Sequence, residues 1–191
     1  MTMSSVTKEN YAVLLEEAVN FHGHLCAGIE SGTRMAICGL QKIGIADPKG
    51  ADKKKLMVFV EIDRCATDAI MVLTGCRPGK RTMKIVDFGK MAATFINLET
   101  GKAVRIVSKM KKNTDGTSDM PDFSTVSDEE LFTITNVAVP LQPEDLPGKP
   151  VRTAQCADCG EKILDGREIE HEGKSLCKPC LTQSRYYVPL P

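Results

Sequence analysis

Four of the eight cysteines fall into two pairs, Cys156-Ala157-Asp158-Cys159 and Cys177-Lys178-Pro179-Cys180, with seventeen residues between them. That spacing reads as a zinc site. Two residues between cysteines let one tight turn aim both sulfurs at a single point, and two such turns supply a tetrahedral set of four thiolates. Four protein ligands close the coordination sphere, so the zinc expected there is structural rather than catalytic. An iron centre on similar turns is the alternative. Disulfides are disfavoured in a chain that reads as intracellular.

A second cluster lies near the other end. His22, His24 and Cys26 alternate in Phe21-His22-Gly23-His24-Leu25-Cys26-Ala27-Gly28, and alternate residues of an extended segment share a face. Cys65 sits at an expected helix start, where the dipole and the unpaired amides favour a thiolate. Together His22, His24, Cys26 and Cys65 are candidate ligands of a second divalent metal. Cys65 is also a candidate nucleophile, with His22 or His24 as its base. Cys76 follows Gly75 in a loop with Arg77, Lys80 and Arg81, so Cys76, Arg77 and Lys80 are candidate contacts for an anionic substrate. Cys38, in mid-helix, is assigned to packing.

The elements that must position these groups follow from periodicity. Tyr11, Leu14, Leu15, Ala18 and Val19 form one apolar stripe and predict a helix from Thr7 to about Phe21. A second helix is expected over about Glu30–Ile43, ended by Gly44. Leu56–Ile62 and Met83–Phe88 read as strands on either side of a helix over Arg64–Thr74. Ala92–Leu98 and Lys102–Met110 read as a hairpin around Glu99-Thr100-Gly101. A polar loop covers 111–122. Ser127-Asp128-Glu129-Glu130 is a capping box that opens a short helix, and Phe132–Val139 is a last strand. This order predicts an α+β core with a mixed, mainly antiparallel sheet. Four prolines in the eleven residues from Pro140 to Pro150 forbid a helix. The expected domains are therefore a core over 1–140, a linker over 141–153 and a small four-cysteine zinc-finger domain over 154–191. Within the last, Lys162–Leu176 suits a hairpin turning at Glu172-Gly173-Lys174.

Composition narrows the function classes. Hydrophobic residues make up 42% and charged residues 26%, ordinary for a globular core. No stretch approaches the roughly 20 apolar residues that span a bilayer. The opening Met1–Lys8 has no apolar run, which reads as a cytoplasmic protein. Net charge is zero, with ten Lys or Arg against two acids over Arg77–Lys112 and eight acids without a base over Asn113–Gly148. The finger region, Val151–Pro191, holds six basic and six acidic residues, a poor phosphate binder once two further charges come from four thiolates on zinc. Nucleic acid is therefore not the expected partner. There is no dinucleotide fingerprint, P-loop or ferredoxin-type cysteine run.

Several blocks in combination resemble the FmdE family of formylmethanofuran dehydrogenase proteins. They are Phe21–Gly28 followed by Gly32-Thr33-Arg34-Met35; Glu61-Ile62-Asp63-Arg64-Cys65-Ala66-Thr67-Asp68-Ala69-Ile70 with Thr74-Gly75-Cys76; and Asp87-Phe88-Gly89-Lys90 with Thr100-Gly101-Lys102-Ala103-Val104-Arg105. The Pro-Gly linker and four-cysteine finger recur in many members. The resemblance implies an α+β core with a His/Cys metal pocket, a zinc finger and a homodimer. The family is named for a subunit of a molybdenum or tungsten enzyme that reduces carbon dioxide onto methanofuran. Many members stand alone outside that pathway, so the chain is expected to be either an accessory subunit beside partner chains or a homologue of one. By this likeness His22, His24 and Cys26, together with Cys65, are the pocket. Two departures stand out: Cys26-Ala27-Gly28 replaces Cys-Pro-Gly, and Cys76 is followed by Arg77-Pro78-Gly79-Lys80 rather than a Thr-Leu-Gly-Lys-like run.

Three functions compete: a metal-binding protein with a redox-linked or one-carbon-linked role, a zinc-finger adaptor for proteins or nucleic acid, and a thiol enzyme built on Cys65. The first is preferred.

Overall fold

Tyr11, Leu14 and Ala18 line the buried face of the first helix, α1 (Tyr11–His22). Gly23 ends it in the left-handed region at φ 100°, the conformation that glycine adopts without a Cβ penalty. The second helix, α2 (Ala27–Lys42), starts three residues earlier than its apolar pattern indicates, with Cys26 as its N-cap. The computed structural model describes residues 8–109, 121–188 and 190; most of the expected polar loop over 111–122 lies outside them. The chain divides into two units, Met1–Val139 and Pro140–Pro191.

In the first unit every residue from Ser31 to Leu40 is buried, so α2 is enclosed on all sides. Small residues make that possible. A Cβ on Gly32 would lie 2.6 Å from the carbonyl oxygen of Ala66, and one on Gly39 would lie 2.3 Å from the Phe95 ring. The two glycines thus let α2 close on the third helix, α3 (Cys65–Thr74), and on the sheet. Arg34, fully buried in α2, donates to the carbonyls of Phe123 and Val126 and pairs with Asp128 at 2.5 Å. A buried guanidinium without such partners is costly, so this motif residue fastens the 121–128 segment to the core. Just beyond, the expected capping box forms: Ser127 accepts from the Glu130 amide at the start of α4 (Asp128–Leu131).

The sheet has five strands: β1 (Leu56–Val60), β2 (Met83–Ile85), β3 (Ala92–Asn97), β4 (Ala103–Ser108) and β5 (Phe132–Asn136). Their order is β2-β1-β3-β4-β5. β1 and β2 are parallel; the remaining pairs are antiparallel, with Val58 opposite Phe95 and Phe95 opposite Val104. This is the mixed, mainly antiparallel α+β arrangement expected. β5 is three residues shorter than expected. Parallel strands require a crossover, and here it is α3, which places Cys65 shortly beyond the C-terminal end of β1. At the far end Asn97 donates to the carbonyl of Ile43 and accepts from the amides of Glu99 and Thr100, tying the end of α2 to the β3–β4 turn.

The second unit contains two small hairpins and a short helix. β6 (Thr153–Gln155) pairs with β7 (Lys162–Leu164), β8 (Ile169–His171) pairs with β9 (Lys174–Leu176), and α5 (Lys178–Thr182) follows. The single hairpin expected over Lys162–Leu176 is instead divided. β7 folds back on β6 across the first cysteine pair, and only β8 and β9 pair around Glu172-Gly173, where both residues have positive φ as a two-residue hairpin turn requires. The whole of the expected linker over 141–153 falls within this unit, including a turn of 3-10 helix at Pro143–Asp145.

Candidate metal centres

The four finger cysteines converge. One ligand atom from each of Cys156, Cys159, Cys177 and Cys180 lies within 4.8 Å of the others. Cys156 and Cys159 occupy the turn between β6 and β7, where the Gly160 amide donates to the Cys156 carbonyl and Gly160 takes φ 73°. Cys177 is the N-cap of α5 and Cys180 lies in its first turn. Backbone amides of Cys159 and then Cys177 hold the Cys156 thiol down to about 6; the Cys177 amide is 3.3 Å from that sulfur. Among the described residues, Ile163, Leu176 and two of the cysteines form the buried cluster here. So small an apolar core is little to hold a unit of this size, and a metal bound by the four cysteines would add folding energy. The arrangement fits a small zinc-binding domain.

The first unit gathers a second set. His22, Cys26 and Cys65 each bring one ligand atom within 4.8 Å of the other two. His22 is the last residue of α1, Cys26 caps α2 and Cys65 opens α3, so three helix ends meet at one point. A Cβ on Gly28 would stand 2.9 Å from Cys65 Cβ, so only glycine leaves room for this approach. The extended alternation anticipated for His22, His24 and Cys26 is not what brings them together: His22 is helical, and the left-handed turn at Gly23 redirects the chain. His24 falls outside the set. It is exposed, with its ring centroid 4.6 Å from that of His22 and the planes tilted by 39°.

The imidazole of His22 shows how this site is built. Its Nδ1 is 2.8 Å from Oδ2 of Asp68. Its Nε2 is buried and has no hydrogen-bond partner among the described residues. Hydrogen bonding to the carboxylate assigns a proton to Nδ1, and in the neutral ring that tautomer leaves the Nε2 lone pair free. A buried imidazole nitrogen without a partner, beside two thiols and backed by a carboxylate, is the donor set of a metal site with its outer partner in place. The residues present therefore fit a divalent metal with affinity for nitrogen and sulfur, of the zinc class. Asp68 was not anticipated. Its signal was present as Cys65-x-x-Asp68, a spacing that puts both side chains on one face of a helix.

Burial first, and then the neighbouring Cys26 thiol, push the Cys65 thiol above its ordinary value. That direction runs against the thiolate expected from the helix start alone. Cys76 departs further from expectation. It is 3% exposed, its sulfur lies 3.8 Å from the Leu56 carbonyl oxygen, and burial drives its thiol up to about 11. It packs in the core, while Arg77 and Lys80 are exposed beside it; the three do not form one open substrate site. Cys38 is wholly buried, in keeping with packing.

Beside the pocket, Arg105 binds the Glu61 carboxylate through two bonds of 2.6 and 2.7 Å. The Glu61 carbonyl accepts the amides of Phe88 and Lys90. Glu61 thus anchors the 86–90 loop next to the segment that leads into Cys65.

The fold and these two clusters define a metal-binding α+β protein with a small zinc-binding domain. Residues 21–133 match the family described as "FmdE, Molybdenum formylmethanofuran dehydrogenase operon". The chain belongs to that family. It is also similar to a crystal structure of a tungsten formylmethanofuran dehydrogenase FmdE-like protein from Syntrophus aciditrophicus, with 22% identity and a TM-score of 0.55 over 93% of this chain and 95% of that one. At that identity the likeness concerns the fold. A protein of Archaeoglobus fulgidus described as a probable S-adenosyl-L-methionine-binding protein is 34% identical over 94 residues, 49% of this chain. The match spans about a quarter of that protein's length (26%). Among the described residues, no helix is long and apolar enough to cross a membrane.

Proposed function

We propose that this FmdE-family protein holds two metals of different kinds: a structural zinc on Cys156, Cys159, Cys177 and Cys180, and a functional divalent metal on His22, Cys26 and Cys65. The observation that carries the second is the buried, partnerless Nε2 of His22, on a ring whose Nδ1 is bonded to Asp68 and which brings a ligand atom within 4.8 Å of those of Cys26 and Cys65. Three protein ligands leave one position free for a ligand from solution. A metal held there supplies Lewis-acid chemistry at that position. His22 supplies the neutral nitrogen, the two cysteines supply negative charge, and Asp68 keeps the His22 proton on the outer nitrogen.

The role supported by family membership is an accessory one in redox or one-carbon metabolism, acting as a homodimer or beside the other chains of a formylmethanofuran-type dehydrogenase. The adaptor reading has less behind it, because the finger region is neutral overall and offers nucleic-acid phosphates no net attraction.

Metal content per chain, measured by mass spectrometry on protein purified without an affinity tag, tests this. Wild type is expected to carry two metals, and His22→Ala or Cys26→Ser one, the finger zinc. One zinc in all three proteins overturns the reading and leaves only the finger.

A further inference from the structure

Cys26 and Cys65 face one another from two different helix ends, with sulfurs no more than 4.8 Å apart. Backbone packing holds them there, since α2 and α3 touch at Gly28 against Cys65 and at Gly32 against Ala66. Both thiols are half-buried and reachable by a small molecule, whereas Cys38 and Cys76 are sealed in the core. A disulfide needs the sulfurs to close to about 2.05 Å, so the two side chains must turn toward each other.

We propose that Cys26 and Cys65 form a reversible disulfide when no metal lies between them, so that the core pocket is a redox-gated metal site. The inference rests on the metal-pocket reading above and adds its regulation. The oxidant is a hydroperoxide. One cysteine sulfur attacks a peroxide oxygen; the S–O bond forms, the O–O bond breaks and, with hydrogen peroxide, the first water leaves. The second cysteine then attacks that sulfur; the S–S bond forms, the S–O bond breaks and a second water leaves. The two sulfurs lose two electrons in total and the peroxide gains them, while the two thiol protons end in the waters. The product sulfurs have lost the thiolate charge that binds metal, so bridge and metal exclude each other. A thiol reductant restores the site.

The test uses the full-length protein, treated with chelator and then with one equivalent of hydrogen peroxide. Remaining thiols are alkylated, and the digest is mapped by mass spectrometry. The expected product joins the Cys26 and Cys65 peptides, is two hydrogens lighter and disappears with dithiothreitol. Its yield should fall about tenfold when zinc is added first at ten times its dissociation constant. Recovery of Cys26 and Cys65 as alkylated thiols, as sulfinic acids or bridged to finger cysteines overturns the disulfide. A bridge that forms equally well with zinc present overturns the gating. His22→Ala keeps both thiols but lacks a ligand, so zinc should protect it far less than wild type. If zinc protects neither protein while the bridge forms in both, the metal pocket itself is wrong. If wild type holds two metals and no bridge forms, only the present inference fails.

Discussion

Nδ1 of His22 and Oδ2 of Asp68 lie 2.8 Å apart, joining the end of α1 to the first turn of α3. This bond engages Nδ1 and leaves Nε2 as the nitrogen available to a metal. Asp68→Ala should weaken core metal binding by about 10–100-fold, the usual effect of removing a carboxylate behind a ligating histidine. Asp68→Asn keeps an acceptor for the Nδ1 proton and should lose far less. Competition with a chromophoric chelator measures both, and the finger zinc serves as the internal standard. Equal affinities for wild type and Asp68→Ala would mean that Asp68 does not orient a ligand.

Cys156 is drawn down to about 6 by backbone amides in a unit whose buried cluster is only four residues. Zinc should therefore account for most of the stability of the 140–191 unit, as in other structural zinc modules where the apparent metal free energy is about 10–16 kcal/mol. Cys177→Ser should leave 151–188 open to limited proteolysis while the 8–109 core resists. Persistent protease resistance of the finger after full zinc removal would show that it folds without metal.

Glu61 is buried on the Arg105 fork, and this hydrogen bonding holds its carboxyl below the ordinary glutamate value. A carboxylate depressed in the folded state stabilises the fold above its unfolded value, about 4.3. That contribution is lost as pH falls from there through the lower folded value. Urea unfolding from pH 7 down to pH 3 should show this loss, and Glu61→Gln should flatten it. At pH 7 the same variant should cost about 1–2 kcal/mol, because Arg105 is partly exposed and reaches water when its partner is neutral. An acid limb of the same slope in wild type and variant would assign the loss to other groups.

Gly32 stands where α2 touches the backbone of α3, with a Cβ position 2.6 Å from the Ala66 carbonyl oxygen. Gly32→Ala should destabilise the core by about 1–3 kcal/mol through overpacking. It should also weaken core metal binding, because the displaced α3 carries both Cys65 and Asp68. Gly79→Ala has open space around its Cβ and should leave both properties unchanged. Thermal unfolding together with metal titration measures the pair; a fall in stability without a fall in metal affinity would separate the helix contact from the pocket.

The finger cluster was legible in the sequence because each Cys-x-x-Cys pair is brought together by one local turn, whose geometry depends on adjacent residues. The same holds for the Ser127–Glu130 capping box and for the periodic cores of α1 and α3. The core pocket was legible only by residue type. Alternation suggested that His22, His24 and Cys26 act together, but the left-handed turn at Gly23 excludes His24, and packing across α1 and α3 brings in Asp68. Cys76 opens an exposed-looking basic loop yet is buried with its sulfur against the Leu56 carbonyl of β1, which no local pattern signals. Residue types and local spacing thus suffice for the candidate donors, the small four-cysteine module and the family. Which donors share a site, and which carboxylate orients them, was decided by the tertiary structure, because those distances are set by how closely glycine-bearing helices pack and not by the chain between them.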